Sequence, residues 1–385
     1  MNTQKILIDI INAIKPVTIT GSGSDLFSKV CTVIKDVASG VQHPFLMFED
    51  QCVYLYTGTH WMKVSDLDLK VFLRDAYQKI SSDPIKASQR DMIEGLFKQF
   101  PYTVMNFGVT QVQGKINFLN GTLDLGTNIG TFHSSTDYFR YVLPYNYAYG
   151  ASCHMFMKYL DEVLPDKKTQ MVLAEYIAWL FLPDLKLEKV LFLYGSGCNG
   201  KSVFVDIIEA LLGRDNVSHE SLSDMCGEFG GNSRANLAGK LLNTCSDVAP
   251  NAVSGDIFKR IASGEPISAK ILYKDVVTIT DYARMIFCLN ELPKTNDRSD
   301  GYFRRFLIVP FKVQIPKSKI DPKLTQKIIS TELPGIMNWV LKGMGRLIIQ
   351  QGFTESKLCQ RELEKYRNGK NKNEISLILP DGYQK

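Results

Sequence analysis

An α/β fold built on a parallel sheet is what this sequence predicts, and three observations predict it. Apolar runs of strand length recur at Lys189–Tyr194, Lys240–Cys245 and Arg284–Leu289. Stretches with helical spacing accompany them, at Val172–Leu182 and Ser202–Leu212. A glycine-rich loop joins the strand ending at Tyr194 to the helix that follows it. Strands buried on both faces read as continuous hydrophobic runs, and their alternation with helices leads to parallel pairing.

The 385 residues are enough for two to three units. With 45% hydrophobic and 22% charged residues, each can have a core of its own. No uninterrupted apolar run is long enough to span a bilayer, so no membrane partner is expected. The opening stretch, MNTQKILIDIINAIKP, is interrupted by Asp9 and Asn12, and no small-residue cleavage site follows. It reads as an amphipathic helix of an intracellular, cytoplasmic protein. The eight cysteines form no C-x-x-C pair, and the neighbours Cys153 and His154 lack the spacing of zinc ligands. Reduced thiols without a metal or disulfide framework are therefore expected. A net charge of +5 permits a polyanionic partner without requiring one.

Taken in order, residues 1–165 read as a mixed α+β unit. Val53–Gly58 is strand-like, with Gly58 suited to a turn before His60 and Trp61. Ile116–Leu125 is a second hairpin signal, centred on the dipeptide Asn120-Gly121. Asp66 and Asp68 fall in the helical stretch Val64–Ala76 and read as exposed, not as a carboxylate pair for nucleotidyl transfer. Residues 166–312 hold the predicted parallel sheet. Pro310, Pro316 and Pro322, set among lysines, read as a connector into a mostly helical region, residues 313–385. Within it, Glu355–Glu374 mixes both charge signs at helical spacing, as a solvated helix does.

The glycine loop carries the chemistry. Gly195-Ser196-Gly197-Cys198-Asn199-Gly200-Lys201-Ser202 satisfies G-x-x-x-x-G-K-S/T in the strand–loop–helix setting that the pattern requires. Its glycines let backbone N–H groups converge on phosphate oxygens, and the helix N-terminus adds positive potential. The Lys201 ammonium is suited to the β- and γ-phosphates of ATP, and the Ser202 hydroxyl to Mg2+. Such a loop needs an acid at the end of a neighbouring strand. Asp247, after Leu241–Ser246, is placed for it.

The phosphate loop, Asp247 and a strand ending in Asn290 fall within about a hundred residues. This set resembles the superfamily 3 helicases, in the branch of phage and plasmid primase C-terminal domains and poxvirus primase-helicases. The resemblance spans most of the chain. Tyr54–Trp61 and Ile116–Leu125 are similar to the connecting domain before the motor, and Glu332–Trp339 to the segment after it. It implies an AAA+-type P-loop ATPase fold, with Lys201 and Ser202 in the first motif. Asp247 matches the second acid of the next motif, but Ser246 replaces the first acid. Glu220 or Glu228 is then a candidate to share its work. Asn290 matches the polar residue that faces the γ-phosphate and the attacking water.

Further roles are likewise implied by the resemblance. Arg305, six residues before Phe311, matches the arginine finger, with Arg304 a close competitor and Arg298 a distant one. Phe258–Lys274 is similar to the motif peculiar to the superfamily. There Lys259 serves the neighbouring subunit's ATP, while Lys270, Tyr273 and Lys274 belong to a hairpin that grips DNA in a central pore. The implied partners are single-stranded or forked DNA, a homo-hexameric ring, and a primase or polymerase as a further domain or a separate protein. Two other readings remain: a non-translocating, ATP-dependent DNA-binding or loading module, and a small-molecule P-loop kinase. The hairpin-and-finger set disfavours the kinase.

Overall fold

The computed structural model describes residues 3–48, 51–81, 83–105, 111–246, 256–270, 276–293, 295, 297, 299–316, 318 and 320–369. The expected amphipathic helix comes first, α1 (Thr3–Ala13), with Ile6, Leu7 and Ile10 buried. After α2 (Gly23–Gly40), an antiparallel sheet is formed by β1 (Phe45–Met47), β2 (Val53–Tyr56) and β3 (Trp61–Lys63). Gly58, at φ 95°, turns the chain between β2 and β3 as anticipated. Helices α3 (Asp66–Ser81) and α5 (Arg90–Val104), joined through the short α4 (Pro84–Ala87), pack on Phe45, whose ring lies 5.3 Å from Phe72 and 5.1 Å from Phe100. Asp66 and Asp68 occupy the first turn of α3, where a carboxylate complements the helix dipole. Asp68 also exchanges hydrogen bonds with the Ser65 hydroxyl, which caps the helix.

A second small sheet contains β4 (Lys115–Phe118), β5 (Gly121–Asp124) and β6 (Gly130–Thr131). Phe118 pairs with Gly121, so the turn is Leu119-Asn120, one residue earlier than the Asn-Gly dipeptide suggests. Gly121 instead opens β5 at φ 131°, where a Cβ would sit 2.4 Å from the Thr131 carbonyl oxygen. Close approach of β6, not the turn itself, demands that glycine.

The rest of the described chain is organised around the predicted sheet. Helices α6 (His154–Val163) and α7 (Lys167–Trp179) lead into β7 (Val190–Tyr194), which runs through the glycine loop into α8 (Lys201–Leu212). There follow β8 (Val217–Ser218), α9 (Leu222–Cys226), α10 (Gly231–Ala235), β9 (Leu242–Ser246) and α11 (Asp256–Ser263). The hairpin β10 (Ile267–Lys270) and β11 (Val276–Ile279) precedes β12 (Arg284–Leu289), α12 (Asp300–Phe303) and β13 (Phe306–Pro310). Five strands pair in parallel in the order β13-β7-β12-β9-β8.

Strand alternation divides the apolar residues between two layers. Leu191 and Leu193 of β7, with Ile286 and Cys288 of β12, face a core shared with α7 and α8. Val190 and Phe192, with Met285 and Phe287, face a core shared with α11, α12 and the hairpin. Phe192 stacks on Phe306 at 4.7 Å and on Phe287 at 5.7 Å. Among the described residues, no helix is long and apolar enough to cross a membrane.

Two expectations for the carboxy-terminal part are corrected. Pro310 is the last residue of β13 rather than part of a connector. It is tolerated because β13 is an edge strand, where a missing N–H breaks no ladder. After α13 (Leu324–Thr331) and α14 (Leu333–Gln350), helix α15 (Lys357–Arg367) forms within the expected charged segment Glu355–Glu374, whose residues 370–374 lie outside the described residues. It is not simply solvated: Cys359, Glu362 and Tyr366 are buried, and the Tyr366 ring lies 5.1 Å from Phe306. Helix α14 joins the core of α7, with Gly343 so close to Ala174 that a Cβ would meet it at 2.7 Å. Buried Glu175 ties the two helices, accepting from Arg346 Nε at 2.8 Å and from the Thr354 N–H and hydroxyl at 2.7 and 2.6 Å. These bonds satisfy a carboxylate that burial would otherwise penalise heavily.

Candidate phosphate-binding loop

The loop from Gly195 to Ser202 begins at the carboxyl end of β7, between β13 and β12, and ends in the first turn of α8. Its backbone takes left-handed values at Gly197 (φ 95°), Cys198 (φ 49°) and Gly200 (φ 88°). Cys198 bears this strain with a side chain, which is exposed. Gly195 has no room for one: a Cβ would lie 2.2 Å from both Asn199 Nδ2 and the Phe311 carbonyl oxygen. Outside supports hold the loop in shape. Asn199 Nδ2 donates to the Phe311 carbonyl at 2.8 Å, and the Tyr159 hydroxyl donates to the Gly200 carbonyl at 2.7 Å. The Ile315 N–H donates to the Cys198 carbonyl at 3.0 Å.

Lys201 is buried under this loop. Its Nζ donates to the Gly195 carbonyl at 2.6 Å, to Asn199 Oδ1 at 3.2 Å and to Asn290 Oδ1 at 3.5 Å. Lys201 and Asn290, eighty-nine residues apart, thus meet at the carboxyl edge of neighbouring strands. Open α/β sheets bind ligands at this edge. Ser202 is exposed on the first turn of α8. Asp247 lies outside the described residues; Ser246 before it ends β9, in register with Cys288 of β12. Glu220 accepts from Asn236 Nδ2 at 2.8 Å beside the edge strand β8, and Glu228 is exposed near α9.

The sequence reading overlooked another carboxylate. Glu209, on the face of α8 turned toward β9, accepts from the Thr244 hydroxyl at 2.5 Å and lies 3.7 Å from His219. Burial, and then the neighbouring Glu209, raise the pKa of Asp206 one turn earlier. In sequence both look like ordinary helix-surface acids, and only the packing of α8 on β9 singles out Glu209.

The remaining basic residues lie elsewhere. Arg305 immediately precedes β13, at the amino end of the sheet. The strand covers five residues at about 3.3 Å each, so Arg305 is a sheet's length from its own chain's loop. It is buried, with Nε donating to the Lys259 carbonyl at 3.2 Å, Nη2 to Ser263 Oγ at 2.9 Å and Nη1 to the Gly301 carbonyl. Arg304 is exposed and pairs with Glu188 at 2.6 Å. Lys259 pairs with Asp297 at 2.9 Å, and bonds from Ser299 and Lys259 hold that carboxyl at about 2. Arg298 is outside the described residues.

Lys270 ends β10, exposed and paired with Val276. The hairpin is therefore real, with Ile267, Ala269, Val277 and Ile279 facing inward. Tyr273 and Lys274 lie outside the described residues. Among the described residues, no group of three His, Cys, Asp or Glu side chains could hold a metal.

Residues 42–165 match the family described as D5 N terminal like, and residues 193–305 match a family of unknown function, DUF5906. Both domains occur in phage and viral primase-helicase-like proteins. A protein of Acanthamoeba polyphaga mimivirus, provisionally named a helicase, is 25% identical over 187 residues, 47% of this chain. The chain spans about a fifth of that relative, 19% of its length. Two apo structures of the C-terminal region of NrS-1 share the fold. One has a TM-score of 0.54 at 11% identity over 89% of this chain and 76% of its own. The other has 0.53 at 10% identity over 86% and 74%.

Proposed function

We propose that this chain is the ATP-driven motor of a viral or mobile-element replicative DNA helicase. The observation that carries the reading is the convergence of Lys201 and Asn290 at the mouth of the glycine loop. In this reading Lys201 leaves the Gly195 carbonyl to neutralise the β- and γ-phosphates, and the loop N–H groups hold their oxygens. The side-chain oxygen of Asn290 orients the attacking water. The residues present suit Mg2+, which keeps most of its coordination from water and phosphate and needs few protein ligands. Ser202 and Asp247 would hold the ion, which supplies charge neutralisation between the phosphates.

The sheet's length between the loop and the arginines supports hydrolysis completed by a neighbouring subunit, hence a ring, expected as a homo-hexamer. Arg304, whose guanidinium is exposed, is the better finger; Arg305, with donors engaged inside its own chain, positions it. Lys259 would act beside it. Lys270, Tyr273 and Lys274 would contact single-stranded DNA, the cations through phosphates and the ring through base faces. Strand displacement on a forked duplex, with and without ATP, tests this. ATP-dependent unwinding that Lys201→Ala abolishes is the expected result. ATP-dependent DNA binding with no unwinding would instead establish the non-translocating loading module.

A further inference from the structure

At the opposite end of the sheet from the glycine loop, where the parallel strands begin, lies a cavity of about 330 Å³. Its walls carry five cations, Arg140, Lys186, Lys189, Lys240 and Arg284, against two acids, Glu188 and Asp281. Both acids already have partners: Glu188 pairs with Arg304, and Asp281 with Arg140. Lys189 and Lys240 donate to the carbonyls of Arg304 and Asp215, which supply no countercharge. Positive charge is therefore in excess on a recessed surface.

Arg284 is the centre of this arrangement. It is the first residue of β12, paired with Leu242 of β9, and the strand registers put Lys189 and Lys240 within two residues of its level. Its guanidinium lies over the Trp179 ring, 3.6 Å from the centroid. Among the described residues, no hydrogen bond or ion pair engages that guanidinium. Burial pulls it down to about 10, so it stays charged at neutral pH, and burial also lowers the pKa of Lys189 and Lys240. A guanidinium flat on an indole keeps its N–H donors in the plane of the fork, where they match the paired oxygens of a phosphate. The half-buried rings of Tyr138 and Tyr282 stand on the same walls.

We propose that this cavity is a second ligand site, separate from the glycine loop, which takes one nucleotide unit. Its phosphate is held by Arg284 with Lys186, Lys189 and Lys240, and its base lies against Tyr138 and Tyr282. The volume is at the small end for ligand sites and suits one nucleotide, not a duplex. A free nucleotide and one residue of a single strand offer the same chemistry.

Fluorescent thymidine monophosphate, followed by anisotropy on the full chain, tests the site. It lacks the β- and γ-phosphates that the glycine loop would grip. We expect Lys201→Ala to bind it like the parent, Arg284→Gln to bind at least tenfold more weakly, and Lys186→Glu about threefold to tenfold more weakly. Lys186 is exposed, so its variant keeps the test decisive should Arg284→Gln fail to fold. Displacement of the probe by unlabelled oligothymidylate assigns the site to a strand; displacement by thymidine monophosphate alone assigns it to a free nucleotide. Three results overturn the proposal: parental affinity in both Arg284→Gln and Lys186→Glu, loss of binding in Lys201→Ala, or no binding at millimolar probe.

Discussion

The two ends of the parallel sheet handle positive charge in opposite ways. At the carboxyl end, Lys201 is held by oxygens of the loop and of Asn290, on backbone that takes left-handed φ at three positions. At the amino end, Arg305 is fixed by carbonyls and a serine of its own chain, and Arg284 by an indole. An ammonium is a point charge that can exchange one set of oxygens for another, whereas a planar guanidinium is held by geometry. The carboxyl end thus holds its cation through exchangeable contacts, and the amino end holds its cations in fixed directions.

The sharpest way to break this comparison is at Arg304. As a finger in trans, Arg304→Ala should bind ATP normally yet hydrolyse it about 10³–10⁵-fold more slowly. Mixing it with Lys201→Ala should restore part of the activity, read as phosphate release. Arg305→Ala should instead lower the unfolding free energy by about 1–3 kcal/mol through its orphaned carbonyl partners. If Arg305→Ala keeps its stability and loses turnover while Arg304→Ala does neither, the two roles are exchanged.

Next in size, Lys201→Ala should reduce turnover by about 10²–10³-fold, the usual cost of one preorganised donor to transition-state charge. The melting temperature checks that the fold survives. Gly200→Ala addresses the strain directly. Its φ is 88°, and a Cβ would sit 2.8 Å from Val163 Cγ1. A loss of about 1–3 kcal/mol by denaturant unfolding is expected, and no loss would show that the loop relaxes freely.

Lys270→Ala should flatten the slope of log affinity for single-stranded DNA against log salt by about 0.7, equally for all sequences. An unchanged slope would make the hairpin a structural edge. The smallest effect belongs to Lys259 and Asp297. The folded-state pKa of Asp297, about 2, lies below its ordinary 3.8. Its contribution is therefore present above about pH 4 and lost as pH falls toward 2. Because the pair is partly exposed, Asp297→Asn should cost less than about 1 kcal/mol at neutral pH, and the cost should vanish as pH falls below the folded-state value of about 2, by urea unfolding.

The parallel sheet and the glycine-loop pattern were legible in the chain alone, because both rest on local signals. Continuous apolar runs fix β7, β9 and β12, and the spacing of Gly195, Gly200, Lys201 and Ser202 fixes the loop. β8 escaped notice because two residues carry no periodicity. What each charge faces was settled by packing between distant elements. It brought Asn290 to Lys201 across eighty-nine residues and buried Arg305 while leaving Arg304 exposed. It turned Glu209 onto Thr244, laid Arg284 on Trp179, and drew α14 and α15 into the cores around the sheet. The physical reason is range. Backbone preference and hydrophobic period are properties of neighbours along the chain, whereas the partner of a charge is set by which distant elements the core brings together.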